Sequence, residues 1–143
     1  MKFLLDASVL VPLLLDYGEK LLDVSVKVSL YTMDLTVYEV GNSLWRLANL
    51  LKAIDLEDAV EIMEVLTELT RKSFLGIIRF SELDISRILK LTVIEGLTFY
   101  DSSYIVAAEK LNVTLATEDE ELGVKARKYV KTITYRRLRE TLP

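Results

Sequence analysis

The chain has 143 residues, 51% of them apolar and 28% charged, which supports a sizeable core and argues against disorder. A net charge of −4 supplies no global basic field toward nucleic acid. With neither Cys nor His, the chain excludes disulfides, thiolate nucleophiles, Cys- or His-based zinc sites, Ser-His-Asp triads and paired-imidazole ribonuclease chemistry. Any hydrolytic chemistry therefore rests on carboxylates, hydroxyls, Lys, Tyr or a hard cation.

Phe3, Leu4 and Leu5 read as a short buried strand ending on Asp6, with Ala7-Ser8 as the turn out of it. Open parallel sheets bind ligands just beyond the carboxyl ends of their strands, so Asp6 belongs either to an acidic site or to a helix cap. Asp6 also interrupts what would be the apolar core of a signal peptide, and no small-x-small cleavage site follows. No stretch approaches the roughly 20 apolar residues that span a bilayer. A soluble, cytoplasmic protein with no membrane association is expected.

Residues 8–15 predict a short helix, with Pro12 in its first turn or at a kink. A weaker helix follows over 19–28, then a second strand over 30–33. From Thr36 to about Lys52, Val37, Val40, Leu44, Leu47, Ala48 and Leu51 recur at helical spacing. The helix over 55–72 carries Leu56, Val60, Met63, Leu66 and Thr70 on one face, widened by Ile62, Val65 and Leu69. That face is either packed in the core or a partner or dimer surface.

Residues 76–80 predict a third strand and 82–95 a helix stopped by Gly96. A helix over 98–111 turns Ile105, Ala108 and Leu111 inward. The fourth strand is 113–117, a short helix runs to Lys128, and a fifth strand covers 130–134. The tail over 135–139 is basic. Strands alternate with helices throughout, which predicts an α/β class with a mainly parallel five-stranded sheet in one domain, residues 1–143.

Three further acids sit where Asp6 does, near predicted helix starts: Glu39 in Thr36-x-x-Glu39, Asp101 in Thr98-x-x-Asp101, and Asp119 just after Thr117. Each taken alone is explained by capping, because Ser/Thr-x-x-acid is a capping box and first-turn acids favour the helix dipole. Thr117-x-x-Glu120 and Ser81-x-x-Asp84 are two more such boxes. The ordered set of four carries more weight. If the first, second and fourth strands are neighbours, these carboxylates converge on one crevice. Crowded carboxylates raise one another's pKa or need a cation, and an all-oxygen donor set selects Mg²⁺ or Mn²⁺. Such a site polarises a phosphoryl oxygen and activates a water.

Asp6-Ala-Ser8, Glu39 inside a helix start, Thr98-Phe-Tyr-Asp101-Ser-Ser-Tyr-Ile-Val-Ala-Ala and Leu115-Ala-Thr-Glu-Asp119 resemble the four motifs of PIN-domain nucleases. The chain's size resembles the VapC toxins of toxin–antitoxin pairs. The resemblance implies a three-layer α/β/α fold and a metal-dependent endoribonuclease. Asp6, Glu39, Asp101 and Asp119 would be its catalytic metal ligands, and Ser8 and Thr117 supporting hydroxyls. It also implies Mg²⁺ (or Mn²⁺) as cofactor, RNA as substrate, a small VapB-like antitoxin as partner, and a homodimer. The family usually has Ala where this chain has Ser102. Glu118 and Glu120 flank Asp119, so which of the three faces the metal stays open.

Substrate contact falls to Lys125, Arg127, Lys128, Lys131, Arg136, Arg137 and Arg139, unless these form a solvated basic face, with Arg46 as a further candidate. Trp45 and Tyr104 read as packed residues, and Asn42 as either a supporting group or a buried polar residue bonded to backbone. An aspartyl-phosphate phosphatase is disfavoured by Ser8 where a second Asp is needed. A receiver domain is disfavoured by Phe80 and Ser81 where its phosphorylated Asp would stand. The rival from another class is a catalytically inactive PIN-like module kept for protein contacts.

Overall fold

A computed structural model describes residues 1–143. Its five parallel strands are β1 (Lys2–Leu5), β2 (Ser29–Met33), β3 (Leu75–Ile78), β4 (Thr114–Ala116) and β5 (Thr132–Ile133), ordered β3-β2-β1-β4-β5. Eight α-helices accompany them: α1 (Ala7–Tyr17), α2 (Leu21–Lys27), α3 (Asp34–Trp45), α4 (Leu56–Arg71), α5 (Ile85–Glu95), α6 (Phe99–Leu111), α7 (Glu120–Ala126) and α8 (Tyr135–Thr141). The chain steps from β1 outward to β2 and β3, then returns to lay β4 on the other side of β1. The order therefore reverses between β1 and β4, the switch point where α/β sheets open a crevice.

Successive strand side chains point to opposite faces, so β1 feeds two cores. Phe3 and Leu5 join the cluster with α1, α3 and α4, whereas Leu4 joins Tyr104, Ile105 and Leu91 of α6 and α5. Helices cover both faces, giving the expected three layers. The register pairs Leu5 with Ala116, and Asp6 N–H donates to the Ala116 carbonyl at 3.2 Å. Asp6 and Thr117 thereby leave the sheet side by side. No helix is long and apolar enough to cross a membrane.

Several expectations are corrected. α1 continues through Pro12 in its second turn, forgoing one backbone hydrogen bond. The third helix starts at Asp34, two residues before the sequence suggests, and its last turn over Arg46–Leu50 is π-helical. On α4 the core residues are Ala59, Leu66 and Leu69, while Leu56 (72% exposed) and Val60 face outward. The basic tail forms α8, capped by Thr134 and seated by the fully buried Leu138.

Candidate active site

Asp6 follows β1 as the N-cap of α1, and it is 6% exposed. Its Oδ1 accepts from Ser8 Oγ at 2.5 Å and from the Val9 N–H at 3.2 Å, and its Oδ2 accepts from Thr117 Oγ1. Both hydroxyls are themselves held from behind. Glu118 N–H donates to Ser8 Oγ at 2.9 Å and Asp119 N–H to Thr117 Oγ1 at 3.0 Å. Burial pushes the Asp6 carboxyl up to about 6; the hydroxyl and Val9 bonds oppose that rise, and the Glu39 charge adds to it. Ser8 and Thr117 thus each place a hydroxyl on a different oxygen of the Asp6 carboxylate.

Glu39 sits in the second turn of α3, and no capping box links it to Thr36. Thr36, fully buried, instead takes the Met33 N–H at 3.2 Å and bonds the Tyr104 hydroxyl at 2.6 Å. Tyr104 in turn donates to Glu39 Oε1 at 2.7 Å. Tyr104 is packed, as its sequence context suggests, yet its hydroxyl reaches the acidic crevice. The signal for this was available, because Tyr104 lies three residues after Asp101 on a helix and so shares its face.

Asp101 opens α6 beneath Thr98, whose hydroxyl accepts the Asp101 N–H at 3.1 Å. Its carboxyl is raised by desolvation, then by the Asp119 and Glu39 charges. Asp119 caps α7, its Oδ1 accepting from Leu122 N–H at 2.9 Å. Thr117 and Glu120 form no capping box, since the Thr117 hydroxyl serves Asp6. Glu118 is drawn away, its Oε1 accepting from the Tyr135 N–H at 2.5 Å. Likewise Asp84, read as the end of a box with Ser81, is itself the N-cap of α5.

The PIN-domain family profile matches residues 3–128. The chain belongs to the PIN-domain family. Exonuclease VapC9 of Pyrobaculum aerophilum is 32% identical over 126 residues, covering 88% of this chain and 86% of that protein. Ribonuclease VapC3 of the same organism is 32% identical over 131 residues, covering 87% and 95%. The crystal structure of PAE2754 from Pyrobaculum aerophilum superposes with a TM-score of 0.73 at 30% identity, covering 96% of this chain and 86% of that one. The structure of VapBC-1 from nontypeable Haemophilus influenzae gives a TM-score of 0.60 at 16% identity, covering 95% and 99%, a likeness of fold alone.

In this PIN domain no three acidic side chains stand close enough to form a ready-made metal cage. The donor chemistry nonetheless fits a hard divalent cation. Mg²⁺ keeps several waters and needs only one or two direct carboxylates, so wider spacing leaves room for a hydrated ion. The Asp6 and Asp101 carboxyls are raised first by desolvation, and each also by the Glu39 charge, a penalty that a cation would relieve.

The basic residues of the PIN domain divide in two. Lys125 pairs with Glu121 at 2.8 Å, Lys128 with Glu95 at 2.9 Å, Arg136 with Glu140 at 3.7 Å and Arg139 with Asp16 at 3.4 Å. Arg127 has no carboxylate partner, its Nε donating to Thr132 Oγ1 at 3.3 Å. It lines a crevice of about 700 Å³ with Arg137, Thr117 and Asp119. Arg46 is exposed at the start of the π-helical turn, about 10 Å along the helix axis from Glu39. Trp45 is 51% exposed rather than packed, bordering a groove with Leu56, Val60 and Met63 between α3 and α4. Asn42 is exposed, so it is not a buried polar residue bonded to backbone.

Proposed function

We propose that this PIN domain is a Mg²⁺- or Mn²⁺-dependent endoribonuclease, acting in the cytoplasm as the toxin of a toxin–antitoxin pair. The observation that carries the reading is Asp6: an acid buried at the sheet's switch point, steadied by two hydroxyls and facing further acids. Burial and the Glu39 charge oppose its ionisation against the pull of the two hydroxyls, and a bound cation would favour the charged form. Asp6, Glu39, Asp101 and Asp119 would hold the ion. Once bound, the ion would lower the pKa of a water and neutralise charge on a phosphodiester. Ser8 and Thr117 fix the Asp6 carboxylate, with two bonds to Oδ1 and one to Oδ2. Arg127 and Arg137 offer charge to neighbouring phosphates.

The nuclease names of VapC9 and VapC3 support the hydrolytic class, and VapC3 supports RNA as substrate. The VapBC-1 fold likeness supports a small VapB-like antitoxin as partner. The groove bordered by Trp45, Leu56 and Val60 supplies apolar surface for a protein, either the antitoxin or a second copy in a homodimer. That groove also favours the second reading, an inactive protein-interaction module.

The deciding experiment supplies a circularised single-stranded RNA with Mg²⁺ or Mn²⁺. Cleavage of the circle establishes endonucleolytic action, and Asp6→Asn abolishes it. Cleavage without metal, or full activity in both Asp6→Asn and Asp101→Asn, overturns the mechanism. Calorimetry showing no Mn²⁺ binding to demetallated protein supports the interaction module instead. Light scattering gives the oligomeric state.

A further inference from the structure

We infer that Tyr104 is a positioning residue: with Thr36 behind it, it locks the Glu39 carboxylate so that Oε2 is the atom left to meet a cation. The inference rests on the metal-dependent reading above and extends it to a residue outside the four acids.

The sense of each hydrogen bond follows from counting protons. An ionised Glu39 can only accept, so the single Tyr104 hydroxyl proton goes to Oε1 at 2.7 Å. Between Thr36 Oγ1 and Tyr104 Oη, at 2.6 Å, the donor must then be Thr36, because Tyr104 has no second proton. Thr36 Oγ1 is free to accept the Met33 N–H at 3.2 Å. The reverse sense would set two lone pairs against each other at Glu39. One directed chain therefore runs from the end of β2 to the acid: Met33 N–H, Thr36, Tyr104, Glu39.

The chain is also rigid. Thr36 is fully buried and Tyr104 is 2% exposed, so neither hydroxyl can turn to water. Glu39 itself is half-buried on a flexible stem, and without Tyr104 nothing else in the structure bonds its carboxylate. Groups that orient a ligand in this way typically change metal affinity or activity by about 10- to 100-fold when removed.

Tyr104→Phe removes the hydroxyl and keeps the ring. Mn²⁺ binding to demetallated protein, followed by electron paramagnetic resonance, is expected to weaken by about 10-fold in this variant. Glu39→Gln weakens it as well, and the double variant binds no more weakly than the worse single variant, since the tyrosine acts through the glutamate. Thr36→Ser, which keeps both bonds, stays at wild-type affinity. Unchanged Mn²⁺ affinity in Tyr104→Phe, or fully additive losses in the double variant, overturns the assignment while leaving the metal-dependent reading standing. A wild-type chain that binds no Mn²⁺ overturns that reading and this inference together.

Discussion

Asp6→Asn provides a stability experiment whose sign opposes the usual expectation for a buried polar substitution. Burial raises the Asp6 carboxyl from 3.8 to about 6, so ionising it in the folded protein costs about 3 kcal/mol. Because the folded value is the raised one, that stability is fully present below pH 3.8 and is lost as pH rises through about 6. Asparagine never ionises, but its amide cannot replace both acceptor oxygens. Either the Ser8 and Val9 side or the Thr117 side meets a donor, at a loss of about 1 kcal/mol. The net expectation for metal-free protein at pH 7.5 is that the variant is more stable by about 2 kcal/mol, or roughly 4 to 8 °C in Tm. Urea unfolding in chelator between pH 4 and 8 reads the difference, which should grow through pH 5 and level off near pH 7. Saturating Mg²⁺ should then stabilise wild type and leave the variant unmoved, narrowing or reversing the gap. A metal-free variant less stable than wild type at pH 7.5, or a gap that ignores pH, refutes the reasoning.

Ser102 Oγ is buried without a hydrogen-bond partner, so Ser102→Ala should stabilise by about 1 kcal/mol, measured by urea unfolding. A Cβ at Gly76 would meet Tyr31 Cδ1 at 2.6 Å across the β2–β3 pair, so Gly76→Ala should lower stability by about 1–3 kcal/mol. Adding Tyr31→Ala should recover part of that loss. Arg127→Ala should weaken RNA binding by the Asp101→Asn protein and reduce its logarithmic salt slope by about one. Lys125→Ala, whose ammonium is engaged by Glu121, should change filter-binding affinity little; the reverse ranking would refute the division of the basic residues.

The sheet was legible because its strands are buried on both faces and read as plain apolar runs, as Phe3-Leu4-Leu5 does. Strand ends were less so. β5 covers only Thr132–Ile133 because Tyr129 and Val130 still belong to the preceding turn, their N–H groups bonded to the Ala126 carbonyl. The α4 face is legible in part: Leu66 and Leu69 are buried and Ile62, Met63 and Val65 pack against the core, but apolar residues lie on two overlapping stripes. Periodicity shows that both are apolar, but not that the small Ala59 faces the core while Leu56 does not. α8 was missed because a seven-residue helix with one buried anchor, Leu138, offers too short a pattern.

The candidate site was legible as a set of acids in order, but cap and ligand were posed as alternatives. A parallel sheet removes that opposition. Each strand end is followed at once by a helix, so an acid placed there can cap the helix with one oxygen and face the crevice with the other. Asp6 caps with Oδ1 toward Val9 while its Oδ2 accepts from Thr117 Oγ1, and Asp119 caps with Oδ1 toward Leu122. What separates a capping acid from a site acid is therefore the reach of its other bonds. Asp84 is exposed at its helix start and bonds the Arg87 N–H three residues on. Asp6 is gripped by Thr117, 111 residues away, a contact that exists only after β1 and β4 have paired. Glu39 is held by Tyr104, 65 residues away, across the gap between α3 and α6. Hydroxyls brought from distant strands and helices do not improve a helix start, whose N–H the capping oxygen already satisfies. They hold the acids at the one place where the sheet order reverses.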